Sequence, residues 1–254
     1  MISDYHRPQT LEEALKLLSE PDSRPLGGGT FLTLSDYESF SVVDLQFLGL
    51  DKLRKSTNTL NIGATVTLQA LLESPHTPLQ LKSGLNLEAP LNQRNRRTVA
   101  GALITSTGRS PFAIIMMALD AKLRMEGRES IVHPLGDFLL SRSEFLKNKL
   151  ITNIEIPLQL KLAFETVARS PVDKLIVCAA LAQWKSGRTR LVLGGWGKTP
   201  TLAFDGTDST GIETAARNAA QAANDEWASA EYRSNVAAVL SKRCLDSVSK
   251  ENVD

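Results

Sequence analysis

Cysteine is nearly absent: Cys178 and Cys244 are the only two in 254 residues, far apart and in no C-x-x-C pattern. The chain therefore holds by itself neither an iron–sulfur cluster nor a structural zinc site, both of which need clustered ligands. Histidine is as sparse. His6, His76 and His133 each sit beside a proline or within one residue of it, in turn contexts, with no Asp, Glu or Ser at a spacing known for a metal site or a catalytic triad. No apolar run is long enough to span a bilayer. The start, Met1-Ile2-Ser3-Asp4-Tyr5, is neither basic nor followed by an apolar run, so no secretory signal is read and a cytoplasmic location is expected. An excess of one charge is also missing. Lys+Arg 29 against Asp+Glu 28 leave a net charge of +1, which points neither to nucleic acid nor to a membrane surface as partner. What remains, 42% hydrophobic and 22% charged residues, is ordinary for a soluble globular protein with ample sequence for a core, in one large or two modest domains.

Two glycine-bearing stretches organise the chain. In residues 94–121, Arg94, Arg96 and Arg97 precede Thr98, Val99, Ala100, Gly101 and Ala102; a Thr/Ser/Gly loop follows at 105–110 and includes Thr107, and an apolar segment opens with Pro111. Small residues let a backbone approach a ligand, successive N–H groups of a tight turn point at anionic oxygens, and proline suits the first turn of a helix. Residues 24–32 repeat the device, with Leu26 leading into Gly27, Gly28, Gly29, Thr30 and Phe31. A glycine run after a strand is more often a tight turn than a phosphate site, and two such runs improve the case only modestly.

In chain order, Thr10 caps an opening helix with Glu13 three residues on, and Leu11, Ala14, Leu15 and Leu18 form its stripe. A short strand into the glycines, a turn or short helix to about Tyr37 and a strand at 41–45 make a βαβ-like unit over residues 1–55. From residue 53 the period changes. Leu60, Ile62 and Ala64 alternate as in a hairpin strand, Thr67 caps a helix over 68–73, residues 79–91 read as helix, 122–125 and 130–133 as two strands, and 150–156 as a strand ended by Pro157. Residues 56–157 make a second lobe. Beyond residue 160, segments 162–169, 175–184 and 188–193 read as three strands or as two strands and a helix. Amphipathic segments at 212–223 and 229–248 complete a third domain over 160–254. The run Gly194-Gly195-Trp196-Gly197 reads as a strand end or bulge.

Six stretches, in order, resemble the FAD-binding medium subunit of the molybdenum hydroxylases, the family of xanthine dehydrogenase and aerobic carbon monoxide dehydrogenase. Tyr5, Arg7, Pro8 and residues 10–18 resemble its Y-x-RP-x-(S/T)-LEEAL-x-LL; residues 27–32 its A-G-G-T-D-L; Ile62-Gly63-Ala64 with Thr67 its I-G-A-x-x-T; residues 94–103 its R-N-x-x-T-I-G-G-N-I; Ala118-Leu119-Asp120-Ala121 its A-L-D-A; and Asp225 with residues 228–233 its D-x-x-A-S-A-E-Y-R. The resemblance covers almost the whole chain. It implies an α+β fold, with an FAD-binding fold of two α/β lobes (PCMH-type) plus a C-terminal domain of a small antiparallel sheet with helices. It also implies an oxidoreductase component that is not active alone. Electrons would come from [2Fe–2S] clusters on an iron–sulfur small subunit, fed by a molybdenum-cofactor large subunit, and pass through FAD to NAD or a quinone. The positions implied at the cofactor are Leu26, Gly27, Gly28, Gly29, Thr30 and Phe31 in the first loop, and Thr98, Val99, Ala100, Gly101, Ala102 and Thr107 in the second. No catalytic residue and no metal ligand is expected on this chain.

The sequence departs from the family where polar contacts would be. Phe31 stands where Asp or a small polar residue is usual, Ala100-Gly101-Ala102 replaces G-G-N, and Pro111 replaces an Asp nine residues on. Losing the hydrogen bonds of the last two positions, at about 1.5–3 kcal/mol each, weakens FAD by on the order of a hundred- to ten-thousandfold. Backbone N–H groups of residues 27–31 and 98–102, with the Thr30 and Thr98 hydroxyls, are then the expected ligands. Two readings stay open: a working flavoprotein subunit, and a flavin-free subunit that docks its partners. The arginines at 94, 96 and 97 read better as a phosphate or interface patch than as a nucleic-acid site, because no wider basic face or interleaved aromatics accompany them.

Overall fold

The computed structural model describes residues 2–32, 39–170 and 173–250. It begins with β1 (Ile2–His6), α1 (Leu11–Leu18), β2 (Ser23–Leu26), β3 (Phe40–Asp44), a single 3-10 turn at Gln46–Leu48, and the hairpin β4 (Leu53–Lys55) and β5 (Thr59–Gly63). Five helices follow: α2 (Leu68–Glu73), α3 (Leu79–Glu88), α4 (Leu91–Arg94), α5 (Val99–Ile104) and α6 (Pro111–Ala118). A second hairpin, β6 (Lys122–Glu126) and β7 (Ile131–Pro134), leads through α7 (Leu135–Leu140) and α8 (Arg142–Phe145) to β8 (Leu150–Pro157). The chain ends with β9 (Leu160–Val167), β10 (Val177–Trp184), β11 (Thr189–Gly194), β12 (Thr201–Gly206), α9 (Ile212–Ala219) and α10 (Ala230–Lys250). The expected turn or short helix reaching Tyr37 lies outside the described residues.

These elements form two compact units, one of residues 1–77, 89–105 and 122–155, the other of 78–88, 106–121 and 156–254. The first holds a parallel sheet in the order β1-β3-β2 and a five-stranded sheet in the order β4-β5-β8-β6-β7. Its opening helix forms for the reason read in the sequence. The Thr10 hydroxyl accepts the Glu13 N–H at 3.2 Å and the Glu13 carboxylate accepts the Gln9 N–H at 3.0 Å, so one free donor of the first turn and that of the residue before the cap are satisfied. The stripe then packs Ala14, with Leu11, Leu15 and Leu18, against Val43, Leu45 and Leu150.

The chain does not begin with that helix, however. Strand β1 precedes it and pairs in parallel with β3. Its residues are largely exposed, so it carries no apolar alternation and is held chiefly by ladder hydrogen bonds.

The second unit is an antiparallel sheet in the order β12-β11-β10-β9, with four strands where at most three were expected. Ala179, Leu181, Leu191 and Leu193 share one core with Ile212, Ala216, Ala237 and Leu240 of α9 and α10. Successive side chains alternate across a strand. The intervening positions therefore face the other way, where the Arg190 guanidinium donates to the Met117 carbonyl of α6 at 3.1 Å and Gly194 lies against Ile114. With helices on both faces, β10 reads as an unbroken apolar run, which is why strand and helix were indistinguishable there. Every residue of α6 is buried.

The run at 194–197 ends β11, and Gly195 and Gly197 adopt φ of +106° and +70°. At the A-L-D-A stretch Asp120 has φ +54°. Its carboxylate accepts from Arg188 at 2.9 Å and lies 3.4 Å from Arg190, while Asp205 accepts from both arginines. This four-charge network fastens the end of α6 to β11 and β12.

Candidate cofactor-binding site

Strand β2 delivers the chain into the first glycine loop, and that loop lies against residues 96–98. A Cβ on Gly28 would stand 1.6 Å from the Arg96 carbonyl oxygen, and one on Gly27 would meet the Thr98 side chain at 3.1 Å. Gly29 has φ +70°, a left-handed conformation that glycine takes without penalty. Glycine at position 28 is thus required so that two loops can touch, rather than so that a ligand can approach. The second loop is braced from behind. Thr98 caps α5, its hydroxyl accepting the Gly101 N–H at 3.2 Å. Val99 N–H donates to Val66 at 2.8 Å, Ala100 N–H to Ala64 at 3.1 Å, and Leu68 N–H to Arg97 at 2.9 Å. The I-G-A-x-x-T and R-N-x-x-T stretches are therefore two sides of one backbone seam.

On this seam opens a cavity of about 330 Å³, walled wholly by residues of the first unit and within the size range of small-molecule sites. Of the positions expected from sequence, it brings together Gly27, Gly28, Gly29, Thr30, Phe31, Thr98, Ala100 and Gly101. Leu26 lines a neighbouring polar pocket of about 440 Å³ beside Gly27, Gly28 and Gly29. There the buried Asp44 accepts from the Tyr5 hydroxyl and from Arg7, which accounts for the Y-x-R of the opening stretch. Thr105, which opens the loop read at 105–110, also lines the first cavity, whereas sequence reading missed Thr65, Ile104 and the wall from Asn148 to Ile151. Asn148 takes φ +54° in a turn that carries no ligand signature.

Val99, Ala102 and Thr107, also expected from sequence, are not among the residues that line this cavity. Val99 and Ala102 are fully buried inside α5, and Thr107 is an exposed residue of the second unit whose hydroxyl accepts the Arg109 N–H. Ala102 and Pro111 are both buried.

The donor inventory changes as well. Every N–H from Val99 to Ala102 already donates within the chain, to Val66, Ala64, the Thr98 hydroxyl and the Thr98 carbonyl. These amides are thus engaged within the chain, although the sequence left them looking free. Among the described residues the N–H groups of Gly28, Gly29 and Thr30 donate to nothing. The arginines divide similarly. Arg94 donates to Gln69 and to the Ala89 carbonyl, and Arg97 to Thr105. Arg96 has no partner among the described residues, and its guanidinium lies 3.9 Å from where a Cβ on Gly29 would stand. Arg96 shares one neighbouring pocket with Gly28 and Gly29 and another with Thr30, and all three of these residues also line the largely apolar cavity.

The loop at 105–110 is tied down by hydrogen bonds within the chain. Its Gly108 exchanges backbone hydrogen bonds with Gly195 and Gly197. At the start of α6 the Glu88 carboxylate accepts from the Ser110 hydroxyl at 2.7 Å and the Phe112 N–H at 3.3 Å, an internal anion at a helix N-terminus. The cysteines are inert as nucleophiles. Burial pushes the Cys178 thiol well above its ordinary range and the Cys244 thiol up to about 12, which removes the reactive thiolate.

A family model described as the FAD binding domain in molybdopterin dehydrogenase matches residues 1–159. Among curated proteins, the chain is 29% identical to the 6-hydroxypseudooxynicotine dehydrogenase complex subunit alpha of Paenarthrobacter nicotinovorans, over 95% of this chain and 93% of that one. It is 25% identical to the carbon monoxide dehydrogenase medium chain of Afipia carboxidovorans, over 96% and 95%. Among solved structures, its fold is similar to that of a chain of carbon monoxide dehydrogenase from Hydrogenophaga pseudoflava, with TM-score 0.78, 23% identity and 97% of each chain covered. It is also similar to a chain of quinoline 2-oxidoreductase from Pseudomonas putida 86, with TM-score 0.77, 22% identity and 98% and 97% covered.

Proposed function

Because the chain belongs to the FAD-binding domain family of molybdopterin dehydrogenases, we propose that it is the flavin-carrying medium subunit of a molybdenum hydroxylase-type complex, relaying electrons between partner subunits and an external acceptor. The observation that carries the reading is that Gly28, Gly29 and Thr30, whose amides donate to nothing among the described residues, line one apolar cavity with the Arg96 guanidinium close to Gly29. FAD joins two planar rings through an anionic diphosphate, and the residues present fit it. The amides and Arg96 would hold the diphosphate, the Thr30 and Thr98 hydroxyls would add side-chain contacts, and Ala64, Ala100 and Ile104 would keep water from a ring. Bound there, FAD supplies a carrier that can accept and release electrons.

In this reading an iron–sulfur subunit and a molybdenum-cofactor subunit deliver the electrons, NAD or a quinone removes them, and the complex works in the cytoplasm. Support comes from the relatives, one called a medium chain and another a subunit of a complex. The positions proposed at the cofactor are Gly27, Gly28, Gly29, Thr30, Phe31, Thr98, Ala100 and Gly101, with the lobes at 1–55 and 56–157 and a third domain at 160–254. Purification from the native source tests the proposal. Flavin absorption should travel with the chain, alongside an iron–sulfur and a molybdenum subunit. A colourless chain that takes up no added FAD and travels alone would favour the flavin-free docking role.

A further inference from the structure

We propose that Phe31 is a stacking platform for a planar ring of the bound dinucleotide, an inference that rests on the FAD reading above. Phe31 is 59% exposed, so a face of its ring stays in water unless something covers it, and covering apolar area is favourable. Its place is specific. It follows Thr30, whose amide is one of the free donors, and consecutive Cα atoms are about 3.8 Å apart, so its ring lies within reach of a ring linked through a sugar to the diphosphate.

Phe31 also stands where two cavities meet. One is the largely apolar cavity of about 330 Å³. The other, of about 530 Å³, is lined by Asn92, Gln93, Arg96 and Arg97 and shares Thr30, Phe31 and Thr105 with the first. An aromatic partition between an apolar and a cationic compartment suits a molecule that alternates planar rings with an anionic diphosphate. Stacking on an aromatic side chain tolerates any flat ring, so the shared chemistry is a planar heterocycle. Its source is either the adenine or the isoalloxazine.

Titrations of FAD, ADP, FMN and inorganic pyrophosphate into wild type, Phe31→Ser and Phe31→Trp test the proposal. Phe31→Ser should weaken FAD by roughly five- to a hundredfold, the span of one stacked ring. It should weaken ADP alone if adenine is the stacked ring and FMN alone if isoalloxazine is, and leave pyrophosphate unchanged. Phe31→Trp should restore affinity, with its indole emission quenched as FAD binds. Equal FAD affinity in wild type and Phe31→Ser overturns the stacking role while the FAD reading stands. A matching loss of pyrophosphate affinity also overturns it, because Phe31 would then act by shaping the loop. Failure of wild type to bind FAD, ADP and FMN overturns both.

Discussion

Arg233 carries a full charge with 0% of its side chain exposed, and everything around it serves to make that tolerable. It donates to Asp225 at 2.8 Å, to the Ile176 carbonyl at 3.2 Å and to the Ala228 carbonyl at 3.3 Å, while the other Asp225 oxygen accepts from Arg109 at 2.6 Å. The D-x-x-A-S-A-E-Y-R stretch is thus one ion pair closing the entry to α10, a structural device rather than a cofactor contact. Burial pushes the Asp225 carboxyl up, but the Arg233 hydrogen bond, the Trp227 N–H and the charges of Arg233 and Arg109 together outweigh it and bring it down to about 2. A carboxyl depressed in the fold stabilises above its ordinary value of about 3.9. That contribution is lost as pH falls toward about 2. Asp225→Asn should cost about 3–5 kcal/mol by leaving Arg233 buried and unpaired, and should flatten the fall in stability over that acidic window. Urea unfolding of both proteins at several pH values checks this, and parallel pH curves would contradict the assignment.

At the scale of elements, the glycine loop is a joint between segments before it is a ligand cradle. Gly28→Ala drives a Cβ into the Arg96 carbonyl at 1.6 Å, whereas Gly27→Ala meets only the Thr98 side chain at 3.1 Å. Gly28→Ala should therefore lower stability by roughly 1–3 kcal/mol, the range for overpacking, and abolish FAD binding. Gly27→Ala should be the milder change in the same urea and flavin titrations, and the reverse order would refute the packing account. The elements legible in sequence were those with a local cause: α1 and α2 each carry a threonine cap whose partner lies three residues on, whereas α5, capped in the same way by Thr98, was not read as a helix. Strand β1 was not legible because its hold is a parallel ladder to a strand far along the chain. The same distinction runs through the site. The small residues of both loops were visible. That Val66 and Ala64 take the amides of Val99 and Ala100 depends on partners more than thirty residues away, which no local pattern records.

At the scale of the whole molecule, the two units are interleaved in sequence, for the chain leaves the first unit at residue 77, returns at 89, leaves again at 105 and returns once more at 122. The two excursions are α3 and α6, and α6 belongs to the β10 and β11 sheet that is made only after residue 176. During synthesis the segment from Pro111 to Ala118, buried throughout in the finished protein, must therefore wait for its cover while more than fifty further residues emerge. A truncation at residue 159, where the family match ends, makes that delay permanent. Although it retains every residue that walls the cavity, such a fragment should aggregate on expression, and recovery of a soluble, FAD-binding 1–159 would show that the apolar helix can be borne without its sheet.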